Sequence, residues 1–205
     1  TAYEIVSRDW SSDVCSSDLP DKETGVTLVE TLITVFVLMV GLLGMAYLQA
    51  RGHQAELEAY QRSQALMLLS DMANRLGANR NNGACYALDD GAGTSPPPYL
   101  GTGATWGSGI AASGCSTLSD NDLQAWHGLL LGNNETLNGS ATGAMQGARG
   151  CIELIGTRQY RITVAWQGLI PTSAPPAAVT CGTGLYGTEA QRRAVTRTLR
   201  FADLE

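Results

Sequence analysis

The chain has 205 residues and a formal net charge of −6, from 13 basic and 19 acidic side chains. With a pI of about 4.9 it has no general basic field that would attract nucleic acid, so no nucleic-acid partner is expected. Its 24 glycines and 7 prolines, with only 16% charged residues, favour a loop-rich domain outside the cytoplasm over a tightly packed cytosolic enzyme.

Residues 1–25 are interpreted as a leader of uncertain sequence. They carry more acidic than basic side chains, which is the wrong sign for a segment retained at the cytoplasmic face of a membrane. The run Ser7–Leu19 also resembles translated sequencing-adapter sequence, so residues 1–20 are treated as a candidate artefact. The leader is therefore excluded from the fold prediction.

Residues 26–48 predict a transmembrane helix. They are almost all apolar and carry one charge, that of Glu30. At about 1.5 Å per residue, a helix of this length spans about 35 Å, enough to cross a hydrocarbon core of about 30 Å. The segment is too long to be the core of a signal peptide.

The helical pattern continues through residues 49–77, which lack proline and are rich in good helix formers. We predict one continuous helix of about 50 residues whose second half is amphipathic and packs on a sheet. Gly77 and the polar run 79–83 are expected to end it. The apolar residues that repeat at helical spacing in this second half are Ala65, Leu68, Leu69, Met72 and Leu76.

Residues 78–205 predict a periplasmic head. The stretch 89–114 is rich in Gly, Ser, Thr and Pro and is expected to be a surface loop. The run Ser119–Asp122 offers N-cap residues for a short amphipathic helix. Calcium binding by its Asp-Asn-Asp cluster is the weaker alternative, because the rest of an EF-hand loop is missing.

The strand signals lie late in the chain. Cys151–Ile155 and Gln159–Trp166 are expected to form an antiparallel hairpin, with alternation that buries one face. Asn134-Glu135-Thr136 and Asn138-Gly139-Ser140 match the glycosylation sequon, but both segments are assigned to a turn. A last strand should end near Ala202 after a Pro- and Gly-rich connection over 168–187. A long helix followed by antiparallel strands predicts the α+β class, with the helix laid across the sheet.

Four cysteines, Cys85, Cys115, Cys151 and Cys181, follow the membrane segment. No Cys-x-x-Cys pair occurs among them, which disfavours zinc binding and thioredoxin-like chemistry. Two disulfides formed in an oxidising compartment are expected, the alternative being buried free thiols. Three connectivities remain open, of which we predict Cys85 with Cys115 and Cys151 with Cys181, because sequential pairing closes two loops of about 30 residues.

Enzymatic activity is not expected. His53 and His127 stand in no recognisable nucleophile or metal-binding pattern, and no cofactor or metal is predicted. His127 follows Trp126 in the predicted short helix, and we interpret it as a packing residue rather than a ligand.

The hexapeptide 25–30, Gly-Val-Thr-Leu-Val-Glu, adjoins the apolar segment directly. It resembles the cleavage and N-methylation motif of type IV prepilins and pseudopilins, in which a Gly precedes the cut bond and a Glu lies five residues beyond it. Val26 departs from the more usual Phe or Met, and the leader is neither short nor basic. Further segments resemble the PilV family of pilus modification proteins, which are minor pilins: 41–44, 61–65, 72–79, 122–126 and 160–166.

The resemblance implies a pilin-like fold and a subunit that assembles rather than catalyses. A prepilin peptidase would cut after Gly25 and methylate the new amine of Val26. Glu30 would meet such an amine on a neighbouring subunit. The alternative is that Glu30 only favours the positive end of the helix dipole or snorkels to the headgroups. The implied partners are the peptidase, other minor pilins and the major pilin, first in the inner membrane with a periplasmic head and then in the pilus.

Two alternatives stay open. A minor pseudopilin of a type II secretion system would share the leader motif, the long helix and the sheet. A single-span anchored periplasmic domain would have no filament role, and an uncut Gly25–Val26 bond in cells would favour it.

Overall fold

The computed structural model describes residues 26–88, 96–106, 115, 117–133, 135–141 and 145–202. The predicted leader and parts of the predicted loop over 89–114 lie outside these ranges. The chain divides into two compact units between Tyr47 and Leu48. Its helices are α1 (Leu28–Ala78) and α2 (Thr117–Leu130), with 3-10 turns at Arg80–Tyr86 and Glu189–Gln191. Its strands are β1 (Leu100–Gly101), β2 (Thr136–Leu137), β3 (Ser140–Ala141), β4 (Arg149–Gly156), β5 (Gln159–Gln167) and β6 (Arg192–Arg200).

The α+β prediction is confirmed. Helix α1 runs without a break for 51 residues, as the sequence predicts. Gly77 lies inside its last turn and Ala78 is its final residue, so the helix ends one position later than expected. The polar run that follows forms a 3-10 turn and leads to Cys85.

In the second unit, one stripe of α1 is buried against the sheet. Ala65, Leu69, Met72 and Leu76 are almost inaccessible to solvent, and Leu68 is partly buried beside them. Full burial of a large aliphatic side chain contributes about 1.5–3 kcal/mol, so this stripe is a large part of what holds the helix to the head. The sheet side of the same core is formed by Ile152, Tyr160, Ile162, Val164 and Trp166.

The main sheet is antiparallel with the order β1-β4-β5-β6. The predicted hairpin is confirmed as β4 and β5, and the last strand is β6, which ends at Arg200. The predicted turn is confirmed at Asn138-Gly139, since both residues have positive φ (52° and 80°) between β2 and β3. This matches the preference for Asn-Gly where a two-residue hairpin turn needs left-handed backbone. The turn prediction is wrong at Thr136, which lies in strand β2.

The sheet has two buried faces, whereas the sequence predicted one. Thr163 and Ala165 point away from the helices and are nevertheless fully buried. Ala165 belongs to a second apolar cluster on this face of the sheet, together with Cys151, Cys181 and Tyr186. The Pro- and Gly-rich connection between β5 and β6 therefore folds back over the sheet rather than looping into solvent.

Helix α2 begins earlier than the sequence predicted. Its first residue is Thr117, so the run Ser119–Asp122 lies within the helix and does not cap it. Ser119 is fully buried. The indole of Trp126 explains how α2 docks, because its Nε1 donates a hydrogen bond to the Leu68 carbonyl oxygen of α1 at 3.0 Å.

Gly150 should be essential for this docking. A methyl group at this position would collide with the Trp126 ring and with Leu130. We expect Gly150→Ala to lower the free energy of unfolding by about 1–3 kcal/mol through overpacking. The measurement is chemical unfolding of the full chain in detergent, followed by near-ultraviolet circular dichroism.

Gly52→Ala is the matched control. Nothing lies within 4 Å of the methyl group that it would add to α1. It should leave stability unchanged or raise it by about 0.5–1 kcal/mol, because alanine favours helix. Equal effects of the two substitutions would contradict the packing described for Gly150.

Candidate functional site

The N-terminal end of α1 carries the residues of the predicted cleavage motif. Gly25 lies outside the described residues, and Val26 is exposed just before the helix. Thr27 caps the helix, since the Glu30 main-chain N–H donates to its side-chain oxygen at 3.3 Å and to its carbonyl oxygen at 2.9 Å. A cap of this kind satisfies one of the N–H groups that a helix start leaves unpaired.

Glu30 lies in the first turn of α1 with its side chain exposed. Its carboxylate has no hydrogen-bond or ion-pair partner among the described residues. The sequence interpretation missed the role of Thr27, although the spacing Thr-x-x-Glu before an apolar run is the signature of a capping box. Glu30, to which the resemblance assigns an assembly contact, thus also takes part in the helix cap through its main-chain N–H.

The first part of α1 is a fully exposed apolar surface. It contains an 18-residue window with a mean hydropathy of 2.3, none of which is buried. Its large apolar side chains between Leu28 and Leu48 are 47–76% exposed. By length and composition this is a helix that could span a membrane. An exposed apolar surface of this extent is unfavourable in water and is expected to contact lipid or other apolar groups.

Two disulfides join Cys85 to Cys115 and Cys151 to Cys181, with Cα–Cα distances of 5.6 and 5.9 Å. This is the pairing predicted from sequence. The first bond is partly buried, whereas both cysteines of the second are completely buried. Each closes a loop of about 30 residues and should stabilise the head by about 3–4 kcal/mol in the chain-entropy model.

A charged cluster ties the end of α1 to α2. Arg75 donates from Nε to Asp71 and from a terminal nitrogen to Asp122, both at 2.9 Å. The Tyr86 hydroxyl donates to the other Asp122 oxygen at 2.5 Å. Burial, together with this hydrogen bond, raises the pKa of Tyr86 to about 12, and the hydrogen bond to Asp71 raises the pKa of Arg75.

Asp122 accepts hydrogen bonds that join α2 to the end of α1 and to the 3-10 turn that follows it. Both of its oxygens are engaged, one by Arg75 and one by Tyr86. Within the described ranges no group of three or more His, Cys, Asp or Glu side chains could hold a metal ion.

His127 is a packing residue, as predicted. Its Nδ1 accepts the Gly101 main-chain N–H at 3.0 Å, and its ring lies 6.1 Å from that of Trp106. Burial lowers the pKa of His127 below its ordinary value. His53 is exposed on α1, with Nδ1 3.8 Å from a Glu56 oxygen.

A groove of about 550 Å³ runs along the outer side of α2. Its lining offers carboxamides, small apolar residues and the already paired Arg75, and it contains no nucleophile next to a base. It provides no arrangement for acid–base or nucleophilic chemistry. The lining residues are Arg75, Asn121, Gln124, Ala125, Gly128, Leu129 and Asn133.

Comparisons with protein-family models, with curated proteins and with solved structures find no match to this chain. Its function is therefore inferred from its own motif, fold and contacts.

The two disulfides should differ in their accessibility to reductant. Incubation of the folded protein with a thiol reductant, followed by alkylation and peptide mass spectrometry, should label Cys85 and Cys115 first. Cys151 and Cys181 should remain unlabelled until denaturant is added, because they have no solvent-accessible surface. Equal labelling of all four cysteines in the folded protein would contradict the burial described.

His127 should make the head sensitive to mild acid. Because burial lowers its pKa in the folded state, the unfolded chain binds the proton more tightly. The stability that the neutral ring contributes is complete above about pH 6.5 and is lost as the pH falls. His127→Gln keeps a neutral acceptor for Gly101, so its melting temperature should fall less between pH 7 and pH 5 than that of the wild type.

Thermal unfolding of the full chain in detergent provides the measurement. His53→Gln is the control, because His53 is exposed and should behave like the wild type. If His127→Gln and the wild type lost the same stability on acidification, the buried neutral imidazole would have no part in the response.

Proposed function

We propose that this chain is a minor pilin of a type IV pilus, of the PilV kind, that is processed by a prepilin peptidase. It joins a minor-pilin complex that primes pilus assembly and supports adhesion and twitching motility. One observation carries the proposal: a capped, fully exposed apolar helix begins within the 25–30 motif and continues into a helix packed on a disulfide-bonded antiparallel sheet.

The apolar part of α1 supports a location in the inner membrane with the head in the periplasm. An exposed helix surface without charges beyond Glu30 is stable in lipid and unfavourable in water. The two disulfides fit an oxidising compartment on the far side of that membrane. After assembly the same helix surface is covered by other subunits of the filament instead of by lipid.

Glu30 has a chemical reason to seek a partner in this setting. A carboxylate at the bilayer centre costs about 2.5–3.5 kcal/mol by insertion scales, and less near the interface. Cutting after Gly25 would create a cationic amine on Val26, four residues before Glu30. That amine, on the same or a neighbouring subunit, is the complementary charge, while the positive end of the helix dipole contributes only about 0.3–1 kcal/mol.

The test uses two substitutions in the full chain, expressed in a piliated strain that lacks the chromosomal copy. Gly25→Ala should block processing, which mass spectrometry of the N-terminus would report as an uncut chain. Glu30→Ala should be cut and inserted normally but should recover fewer partner subunits on co-purification and restore less twitching.

Two controls separate charge from fold. Glu30→Gln keeps the size of the side chain and removes its charge, so it should resemble Glu30→Ala. Glu56→Ala removes an exposed carboxylate beyond the apolar segment and should resemble the wild type. If Glu30→Ala recovered partners and motility at the wild-type level, Glu30 would act only at the helix dipole. If the wild type recovered no pilin and remained uncut, the proposed function would be wrong.

A further inference from the structure

Strand β6 is the last strand of the main sheet, so one of its sides is an edge. Two hydrogen bonds at the ends of the β5–β6 pair show which residues of β6 bond to β5. The Phe201 N–H donates to the Arg158 carbonyl oxygen at 3.1 Å, and the Gly168 N–H donates to that of Gln191 at 2.8 Å. Both bonds join residues directly opposite each other in one register. In an antiparallel pair such positions alternate, so the odd-numbered residues of β6 bond β5 and the even-numbered residues face outward.

The outward main-chain groups thus belong to Arg192, whose N–H donates to the Glu189 carbonyl oxygen, and to Ala194, Thr196, Thr198 and Arg200. Of these residues, Thr196, Thr198 and Arg200 are exposed. No further strand pairs with this edge within the described ranges. Unpaired N–H and C=O groups in a row are a template for another extended chain.

The edge is also positively charged. Strand β6 contains four arginines and no acidic residue. Two of these arginines are paired, with N–O distances of 2.6 Å (Arg192–Glu189) and 3.3 Å (Arg193–Glu58).

Arg197 and Arg200 are different, because both are exposed and neither has an acidic partner among the described residues. They lie on either side of Thr198, and their side chains project from opposite faces of the strand. Any chain that paired with this edge would therefore meet a positive charge on each face.

We infer that β6 is a docking strand for an extended, acidic segment of a partner subunit. The outward groups of Thr196, Thr198 and Arg200 would supply main-chain hydrogen bonds, and Arg197 and Arg200 would select for acidic side chains. A second copy of β6 does not fit this edge, because like charges on paired strands repel. The inference rests on the proposed function, since the partner is another subunit of the same assembly.

Thr198→Pro is the direct test. Proline at this position removes an outward N–H without removing a bond to β5, and edge strands accept proline where the N–H would face solvent. Thr198→Val is the matched control, because it removes the hydroxyl group and keeps the N–H. Arg197→Gln combined with Arg200→Gln changes the charge and leaves the backbone intact, so it tests the inference even if the proline variant folds poorly.

Each variant is expressed as the full chain and purified from membranes, and its partner subunits are quantified by mass spectrometry beside its melting temperature. Thr198→Pro should melt near the wild type and recover about ten-fold fewer partners, whereas Thr198→Val should recover them normally. The double arginine variant should also lose partners, and salt should weaken partner recovery with the wild type more than with this variant.

Wild-type recovery by both Thr198→Pro and the double arginine variant would overturn the docking role while leaving the proposed function intact. The same holds if the double arginine variant kept its partners and formed larger self-associated species, because the arginines would then only guard the edge. If the wild-type chain recovered no pilin subunits at all, the docking role and the proposed function would both be wrong.

Discussion

The structure depends on one helix that must satisfy two different environments along its length. In its first part α1 exposes apolar side chains all round, a surface that lipid or other apolar helices can cover. In its second part only a stripe is apolar, and that stripe is buried by the sheet through Met72 and Leu76. Main-chain hydrogen bonds are satisfied within the helix throughout, so its surroundings can change without a break in its backbone.

Part of the head consists of Gly- and Pro-rich segments that have little secondary structure of their own. Side-chain contacts hold these segments in place. Three contacts hold the connection after β5 over the outer sheet face: Thr180 donates to Glu153, Arg161 donates to the Ala178 carbonyl oxygen, and Cys181 is bonded to Cys151. Glu58 does the same near the start of β6, accepting from Arg193 and from the Ile170 N–H. Specific polar contacts of this kind compensate for the scarcity of large apolar residues in the Gly- and Pro-rich stretches.

The N-terminal end of α1 has its cap and its one carboxylate within a single turn. Thr27 satisfies the Glu30 N–H, which leaves the Glu30 carboxylate exposed and without a partner among the described residues. A cap fixes the first helical turn and hence where that carboxylate points. The cap would persist after the proposed cut at Gly25, because Thr27 lies beyond it.

Sequence alone determined the long helix and the β4–β5 hairpin, because each depends on local periodicity, and it located the motif over 25–30. It left three disulfide connectivities open, and the structure selects the sequential pairing that we predicted from loop length. Tertiary structure alone decided that α2 starts at Thr117, since the burial of Ser119 and the bonds made by Asp122 override their preference for capping. It likewise decided that Thr163 and Ala165 are buried, because the segment that covers them has no hydrophobic period of its own and is held by contacts distant in sequence.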